Sequence, residues 1–247
     1  MMSNDIFFEI HRDLPVEGLG RNKYTRKAYD MLPHIKRPKI LDIGCGSGDP
    51  TIELAKISKG TIIGIDINQE YLDRFEEKIK KEKLQNQIKA LNQSMFSIDF
   101  PKEFFDIIWS EGSIFIIGFK KGLMEWKQYI KPNGFLVVHE MTWLKSNPPA
   151  EIYDYWRKIY PEITTIPKNL EIIKKCNYKI IGYFPLPEDA WWDLYYNPLE
   201  KRINLLKEKY FDKPEVLKVL KREQQEINMY KKYNRWYGSA FFILQKL

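Results

Sequence analysis

One stretch near the N-terminus constrains this chain most: the apolar run Ile40–Ile43, followed at once by glycines at 44, 46 and 48. A short apolar run of this kind is typical of a buried strand. Glycine tolerates positive φ angles and allows a ligand to approach the backbone closely. Asp49 is then expected as a helix N-cap, with Pro50 at the first helical position. The stretch therefore predicts a strand, a glycine turn and a helix N-terminus whose unpaired N–H groups face a ligand.

The spacing of the glycines narrows the ligand class. A dinucleotide fingerprint has glycines at its first, third and sixth positions, whereas here the glycines fall at the first, third and fifth, and Asp49 takes the sixth. This difference argues against a nicotinamide-dependent oxidoreductase. A second predicted strand, Thr61–Asp66, ends in an acid where a carboxylate can reach ribose hydroxyls. Together with Asp42 before the turn, this pattern resembles the class I S-adenosylmethionine-dependent methyltransferases.

That resemblance implies S-adenosyl-L-methionine as cofactor and a set of residues to bind it. The loop after the third predicted strand often carries an acid in this family, but here it reads Asn92-Gln93-Ser94-Met95. Adenine recognition is therefore left to amide, hydroxyl and thioether groups and to the backbone. The expected cofactor-binding residues are Asp42, Gly44, Gly46, Gly48, Asp66, Ile67, Gln93, Ser94, Met95 and Glu111, with Arg21 for the cofactor carboxylate or the substrate.

Alternating strand and helix signals between Lys39 and Glu140 predict an α/β fold, a Rossmann-like doubly wound sheet of seven strands. Each segment is a largely continuous apolar run, as expected where helices cover both faces of a parallel sheet. Strands are predicted at Ile40–Ile43, Thr61–Asp66, Ile88–Leu91, Phe105–Ser110, Phe135–Glu140, Tyr178–Phe184 and Ala240–Leu244. Lys131-Pro132-Asn133-Gly134 is predicted to be a turn before the fifth strand.

We expect a single domain over residues 1–247, in three parts. Residues 1–36, which include a flexible segment with Gly18 and Gly20, are expected to fold over the cofactor site. Residues 37–145 form the cofactor-binding core, and residues 146–247 supply a substrate cap with the last two strands. The long gap between those strands is far more than a hairpin needs, which predicts an inserted helical cap.

Two residues at strand ends are candidates for catalysis. Glu111 follows the fourth strand and can contact the cofactor's ammonium group or the substrate, or else it is an ordinary solvated carboxylate. His139 ends the fifth strand and is a candidate general base, because imidazole titrates near neutral pH. Strand alternation places His139 and Glu140 on opposite faces, so at most one of them is expected to face a pocket. An ordinary strand-end histidine is the alternative.

The substrate pocket is expected to use aromatic residues. Tyr24 precedes the sheet, and Trp191, Trp192 and Tyr195 belong to the predicted cap. These rings either line the pocket or hold the cap on the sheet. In a pocket they would suit a cationic or amine substrate, because cations are attracted to aromatic faces.

A narrower resemblance extends into the cap. Five segments are similar to a group of uncharacterised bacterial and archaeal small-molecule methyltransferases: residues 108–112, Trp126, residues 149–152, residues 160–163 and residues 186–188. This likeness favours a small-molecule methyl acceptor but names no substrate.

The charge balance leaves an RNA methyltransferase, for example one acting on tRNA, as the alternative. The net charge is +7, but lysines are interspersed with glutamates and form no basic stripe. The fourth strand also lacks the Asn/Asp-Pro-Pro-aromatic motif of amino-methylating nucleic-acid enzymes. Nucleic acid is therefore a less favoured partner. A non-catalytic cofactor-binding regulator is the alternative of another class.

Further expectations concern the environment of the protein. The sequence has no run of 18 apolar residues and no signal-peptide pattern, so we expect no membrane association and a cytoplasmic location. Two cysteines, Cys45 and Cys176, predict neither a disulfide framework nor a metal site. A homodimer is left open.

Overall fold

A computed structural model describes residues 6, 9–12, 14 and 21–247 of the chain. The glycine segment with Gly18 and Gly20, and the rest of the predicted N-terminal segment at 1–5, 7–8, 13 and 15–17, lie outside the described residues. The remainder of that segment contains helix α1, Asn22–Asp30, which packs on helix α2. The helices of eight residues or more in the described chain are α1 Asn22–Asp30, α2 Asp49–Ser58, α3 Gln69–Lys81, α4 Phe119–Trp126, α5 Ala150–Ile159, α6 Ile166–Lys175, α7 Asn197–Lys209 and α8 Pro214–Tyr233.

The strands form one mixed sheet. They are β1 Lys39–Ile43, β2 Thr61–Asp66, β3 Ile88–Asn92, β4 Phe105–Glu111, β5 Ile130–Trp143, β6 Thr164–Thr165, β7 Tyr178–Pro185 and β8 Tyr237–Lys246. Their order is β3-β2-β1-β4-β5-β8-β7, and β6 pairs with β5 beside this path. The first five strands run parallel, while β8 is antiparallel to both β5 and β7. The predicted α/β fold is confirmed.

Three details differ from the sequence prediction. The strand β6 was not predicted, because its two threonines are too short a segment to show an alternation of apolar and polar residues. The predicted turn at 131–134 lies inside β5 as a bulge: β5 advances from Ile130 to Phe135 while β4 advances only from Phe105 to Ile107. Asn133 has a φ of 60° there, and the Lys131 ammonium pairs with the Asp106 carboxylate at 2.7 Å. The last strand is longer than predicted because Tyr237 and Gly238 also pair with β5.

The cap inserted between β7 and β8 begins with a short helical turn, Asp189–Trp191, and a π-helical turn, Trp192–Tyr196. These lead into α7 and α8. An apolar stripe on α8 holds the cap on the sheet, since Val216, Leu220, Ile227 and Tyr230 are all buried in one core that continues from the cap into the sheet. No helix in the described part of the chain is long and apolar enough to cross a membrane.

Candidate functional site

A cavity of about 870 Å³ lies between the carboxyl ends of the strands and the cap. Its sheet side is formed by the glycine turn, the ends of β2, β4 and β5 and the loop after β3, and its cap side by α5, the 191–195 turn and α8. In open α/β sheets, ligands bind beyond these strand ends. Most of the predicted site residues, including Asp66, Glu111 and His139, line this one cavity.

The glycine turn has the backbone geometry that the sequence predicted. Gly44 and Gly46 have φ angles of 73° and 52°, in the left-handed region that favours glycine. A Cβ on Gly44 would lie 2.5 Å from Ser113, so this position also needs glycine for close packing. Both glycines line the cavity, and the turn therefore presents backbone without side chains to a ligand.

Asp66 is held firmly at the end of β2. Its carboxylate accepts hydrogen bonds from the backbone N–H of Gly46 at 3.0 Å and of Asn68 at 2.9 Å. Because each carboxylate oxygen has more than one lone pair, both oxygens retain capacity to accept from a ligand hydroxyl. Asn68 caps α3 by accepting from the N–H groups of Glu70 and Tyr71. Ile67, which is 67% exposed, borders the same part of the cavity.

Gly48 is a correction to the predicted cofactor set. It does not line the cavity, and a Cβ there would lie 1.9 Å from the Phe75 ring. Gly48, with a φ of 83°, is the N-cap residue of α2, whereas the sequence predicted Asp49 at that position. The Asp49 carboxylate instead pairs with the Lys78 ammonium at 2.7 Å. Gly48 therefore serves helix packing rather than ligand contact.

The loop after β3 brings Gln93, Ser94 and Met95 to the cavity wall, where the sequence placed them. The Gln93 backbone N–H donates to the carbonyl of Asp66 at 3.0 Å, which joins this loop to the end of β2. The Ser94 hydroxyl accepts from the backbone N–H of Phe96 at 3.2 Å. The loop is thus fixed by its own backbone while amide, hydroxyl and thioether groups border the cavity.

Two carboxyl groups on the sheet side of the wall have raised pKa values. Burial raises the pKa of Asp42 to about 7, although the hydrogen bond that Asp42 accepts from the Thr51 hydroxyl at 2.6 Å lowers it. Burial raises the pKa of Glu111 to about 8, although Glu111 Oε1 accepts from Thr25 Oγ1 and Trp109 Nε1, each at 2.8 Å. Strongly shifted groups of this kind cluster at functional sites.

His139 faces the cavity from β5, while Glu140 does not line it, as strand alternation predicted. The imidazole stacks on the Phe241 ring at 5.0 Å, and neither ring nitrogen has a hydrogen-bond partner among the described residues. Burial lowers the pKa of His139 to about 3. The ring is therefore neutral at physiological pH.

The predicted aromatic pocket divides into two groups. Trp191 and Tyr195 line the cavity. Trp192 does not; its indole N–H donates to Glu188 Oε1 at 3.1 Å, and it lies half-buried on the outside of the cap. Tyr24 does not line the cavity either, because its hydroxyl donates to Asp189 Oδ1 at 2.5 Å. Trp192 and Tyr24 are thus corrections to the predicted substrate pocket.

Arg21 lines the cavity but is also engaged by the cap. Its guanidinium forms ion pairs with Asp189, at 3.3 Å, and with Asp193. With Lys23, which pairs with Asp189 at 2.6 Å, it joins the start of α1 to the cap. Its expected contact with a cofactor carboxylate stays a prediction.

Sequence reasoning missed several polar residues of this site, and three of them are acids or partners of acids. Thr25 is fully buried on α1 and donates to Glu111. Glu223 and Glu226 line the cavity from α8. Glu223 occupies a position of the apolar stripe between Leu220 and Ile227, and this charge in a buried stripe was the signal that could have revealed it.

Comparison with known proteins agrees with this geometry. Residues 40–134, which contain the glycine turn, Asp66, Gln93 and Glu111, match the model of the family described as "Methyltransferase domain". Residues 40–134 therefore belong to the methyltransferase domains, and the resemblance to the class I S-adenosylmethionine-dependent methyltransferases is confirmed. An uncharacterized methyltransferase of Schizosaccharomyces pombe is 32% identical over 133 residues, which cover 51% of this chain and 48% of that protein. A demethylmenaquinone methyltransferase of Lactobacillus johnsonii is 27% identical over 200 residues, covering 75% of this chain and 79% of that protein.

The methyltransferase fold extends over the whole chain. A S-adenosylmethionine-dependent methyltransferase from Thiobacillus denitrificans, solved with S-adenosyl-L-homocysteine, has a TM-score of 0.85 at 17% identity and full coverage of both chains. One from Geobacter sulfurreducens, with the same ligand, has a TM-score of 0.83 at 17% identity and 98% coverage of both chains. In sequence, however, matches to the first curated relatives span only about half of their length, 48% and 49%.

Proposed function

We propose that this protein transfers a methyl group from S-adenosyl-L-methionine to a small-molecule acceptor. The supporting observation is that one cavity joins two differently built halves. The sheet half contains the glycine turn, Asp66 and Glu111, and the cap half contains Trp191 and Tyr195. A cofactor bound at the strand ends would meet an acceptor bound under the cap.

The residues of the sheet half fit the cofactor. Gly44 and Gly46 present backbone without side chains, which suits close approach of its amino-acid portion. Asp66 would accept from the ribose hydroxyls, and Gln93 with Ser94 would bind the adenine edge. Glu111 would face the cofactor's ammonium group. When bound, the cofactor supplies an activated methyl group, so the protein has mainly to align nucleophile and methyl carbon.

The protonation states of the wall residues favour this assignment. Glu111, with a pKa of about 8, is largely protonated near neutral pH without ligand, but a neighbouring cation would favour its carboxylate. His139 stays neutral, so one ring nitrogen can donate a hydrogen bond and the other can accept one, and the tautomer decides which. We propose that His139 orients the acceptor. Its role as a general base remains a hypothesis.

The cavity also favours a small acceptor over RNA. Its volume of about 870 Å³ lies within the roughly 300–1,000 Å³ of small-molecule sites. Similar proteins include enzymes named for sterol, demethylmenaquinone and phosphoethanolamine methylation. The cytoplasmic location stays a prediction, and a homodimer stays open.

Two measurements test the proposal. Calorimetry should show binding of S-adenosylhomocysteine to the wild type and none to Gly46→Val, since a branched side chain in a left-handed turn would be strained and would enter the cavity. Incubation with methyl-labelled cofactor should label a component of a small-molecule extract but not bulk tRNA. Label in tRNA would favour the RNA alternative, and binding without any transfer would favour a non-catalytic regulator.

A further inference from the structure

The cap half of the cavity contains a pair of acidic residues on α8. Glu223 and Glu226 stand one helical turn apart and both line the cavity. Glu223 is only 7% exposed, and Glu226 is half-buried. A buried carboxylate is costly unless a positive charge or hydrogen-bond donors accompany it. The surroundings of the pair therefore show what a ligand has to supply.

The protein itself compensates this pair only in part. Glu226 Oε1 accepts from the Tyr196 hydroxyl at 2.9 Å. Glu223 Oε1 lies 3.5 Å from Arg222 Nη2, but the Arg222 side chain is 58% exposed, and such solvated pairs contribute little. The other cations of the cavity wall are Arg21, which is paired with Asp189 and Asp193, and Lys158, which lies exposed. The two acids of the cap half are thus buried or half-buried, while the basic side chains of the wall lie exposed or are paired with other acids.

Aromatic rings surround the acidic pair. Tyr155 and Tyr195 lie close enough for the Glu223 and Glu226 charges to add to burial in raising the pKa of both phenols. Trp191 lines the same half and rests on the Tyr230 ring, with centroids 4.2 Å apart. Carboxylates combined with aromatic faces are the groups that attract organic cations.

Several buried polar atoms of the cavity wall lack partners. Among the described residues, the Tyr155 hydroxyl, the Ser239 hydroxyl and the Trp191 indole N–H have no hydrogen-bond partner. All three residues line the cavity. Buried polar groups in native proteins are nearly always paired, so a polar ligand or water is expected to meet them. An apolar acceptor would leave these atoms without partners and would add no positive charge beside the two carboxylates.

We propose that the cap half binds an organic ammonium group of the methyl acceptor, held between Glu223, Glu226 and the rings of Tyr155, Trp191 and Tyr195. The acceptor class is thus an amine or quaternary ammonium compound. That the bound cation is the methyl acceptor rests on the proposed function, but the existence of the cation site does not. The described residues contain no group of three or more His, Cys, Asp or Glu side chains placed to hold a metal ion. An organic cation therefore fits this pair better than a metal ion.

The test compares two probes of the same shape. Choline carries a quaternary nitrogen, and 3,3-dimethylbutan-1-ol has a carbon atom in its place. Binding of both is measured by calorimetry at about pH 8, where Glu226, with a pKa raised to about 7 by burial, is mainly ionised. Each titration is made with and without saturating S-adenosylhomocysteine. We expect choline to bind at least about tenfold more tightly than the neutral probe in either state.

Matched variants locate the effect. Glu226→Gln and Glu223→Gln should each lower choline affinity about tenfold while leaving the neutral probe within twofold, because shape is kept and charge is lost. Glu215→Gln, at an exposed position in the first turn of α8, is the control and should change neither value. Equal binding of the two probes, or an unchanged choline affinity in both cavity variants, would overturn the proposal.

The two proposals fail in different ways. If S-adenosylhomocysteine does not bind, the proposed function fails, yet the probe comparison without cofactor still decides whether the cation site exists. If it binds, a small-molecule extract is divided on a cation exchanger and each fraction is incubated with methyl-labelled cofactor. The retained fraction should carry the labelled product, whereas label confined to the unretained fraction would overturn the amine assignment alone.

Discussion

The two halves of the cavity are built in different ways. The sheet half is made by short, local segments. The backbone N–H groups of Gly44 and Cys45 donate to the carbonyl of Ile65, and that of Gly46 donates to the Asp66 carboxylate. The Gln93 N–H donates to the Asp66 carbonyl. The cap half combines α5, the 191–195 turn and α8, which are separated by long stretches of chain. The sheet half is mainly backbone and fixed carboxylate, the cap half mainly rings and acids. Under the proposed assignment, cofactor recognition is thus a property of one motif, and acceptor recognition is a property of tertiary packing.

The largest effect that we predict contrasts two neighbouring tryptophans of the cap. Trp191→Ala should lower the free energy of unfolding by about 3–5 kcal/mol, because Trp191 is 1% exposed and stacks on Tyr230. Trp192→Ala should cost only roughly 1–2 kcal/mol, since this ring is half-buried outside the cavity. Urea denaturation measures both changes.

The same pair separates cap stability from acceptor binding. Trp191→Phe, which is milder, should stay folded and lose methyl transfer, whereas Trp192→Ala should keep it within about threefold. Loss of transfer in Trp192→Ala, with full activity in Trp191→Phe, would place the acceptor on the other side of the cap.

These contrasts also show how far the sequence could be interpreted. Asp66 and the glycine turn were predictable because strand, turn and acid lie close together along the chain and follow one pattern. Trp191 could not be separated from Trp192, because the π-helical turn at 192–196 changes which side chains face inward. Gly48 looked like a ligand contact because only the packing of Phe75 reveals its use.

The acidic pair of the cap was hidden for a related reason. Glu223 breaks the apolar stripe of α8, which signals a special position, but nothing local tells what the stripe faces. The partners of the pair, Tyr155 and Tyr195, lie far away in sequence. Such a site becomes visible only when packing brings the segments together.

The second prediction addresses the sheet half. Asp66→Ala should weaken cofactor binding by roughly 1.5–3 kcal/mol, about 10- to 150-fold, through loss of charge-assisted hydrogen bonds. Asp73→Ala is the control, since Asp73 is exposed on α3 and accepts from Gln69 at 2.8 Å. Calorimetry with S-adenosylhomocysteine measures the difference. An affinity within twofold of the wild type would remove Asp66 from the site.

The third prediction concerns the charge of Glu111 between the two halves. Its pKa is about 8 in the folded protein against 4.5 in the unfolded chain, so the folded state holds the proton more tightly. Ligand-free stability should therefore fall as pH rises from about 4.5 to 8, and remain lower above that. Glu111→Gln should remove this pH dependence. Between about pH 5 and pH 9 the free energy of unfolding of the variant should rise by about 1–2 kcal/mol relative to that of the wild type. This value is smaller than the full pKa shift implies, because water reaches the cavity.

The comparison isolates Glu111 from other buried acids. Asp42, Glu140 and Glu226 have raised pKa values as well. They change the stability with pH equally in the wild type and in Glu111→Gln, so their effect cancels in the comparison. Glu125→Gln, on the exposed face of α4, serves as the control. Parallel stability curves for wild type and Glu111→Gln would show that Glu111 has an ordinary pKa.

The smallest effect is expected at His139, where the two halves meet. A general base contributes about 10²–10⁴-fold to a rate, but burial keeps the pKa of His139 near 3, so the imidazole is a weak proton acceptor. A cation bound nearby would lower that pKa further. We therefore expect His139→Asn to reduce the rate of methyl transfer by less than about tenfold, and the rate to show no inflection from His139 between about pH 5.5 and 8. A loss of about a hundredfold, together with the disappearance of a titration near pH 6–7, would instead establish His139 as the base and would mean that ligand binding hydrates the ring.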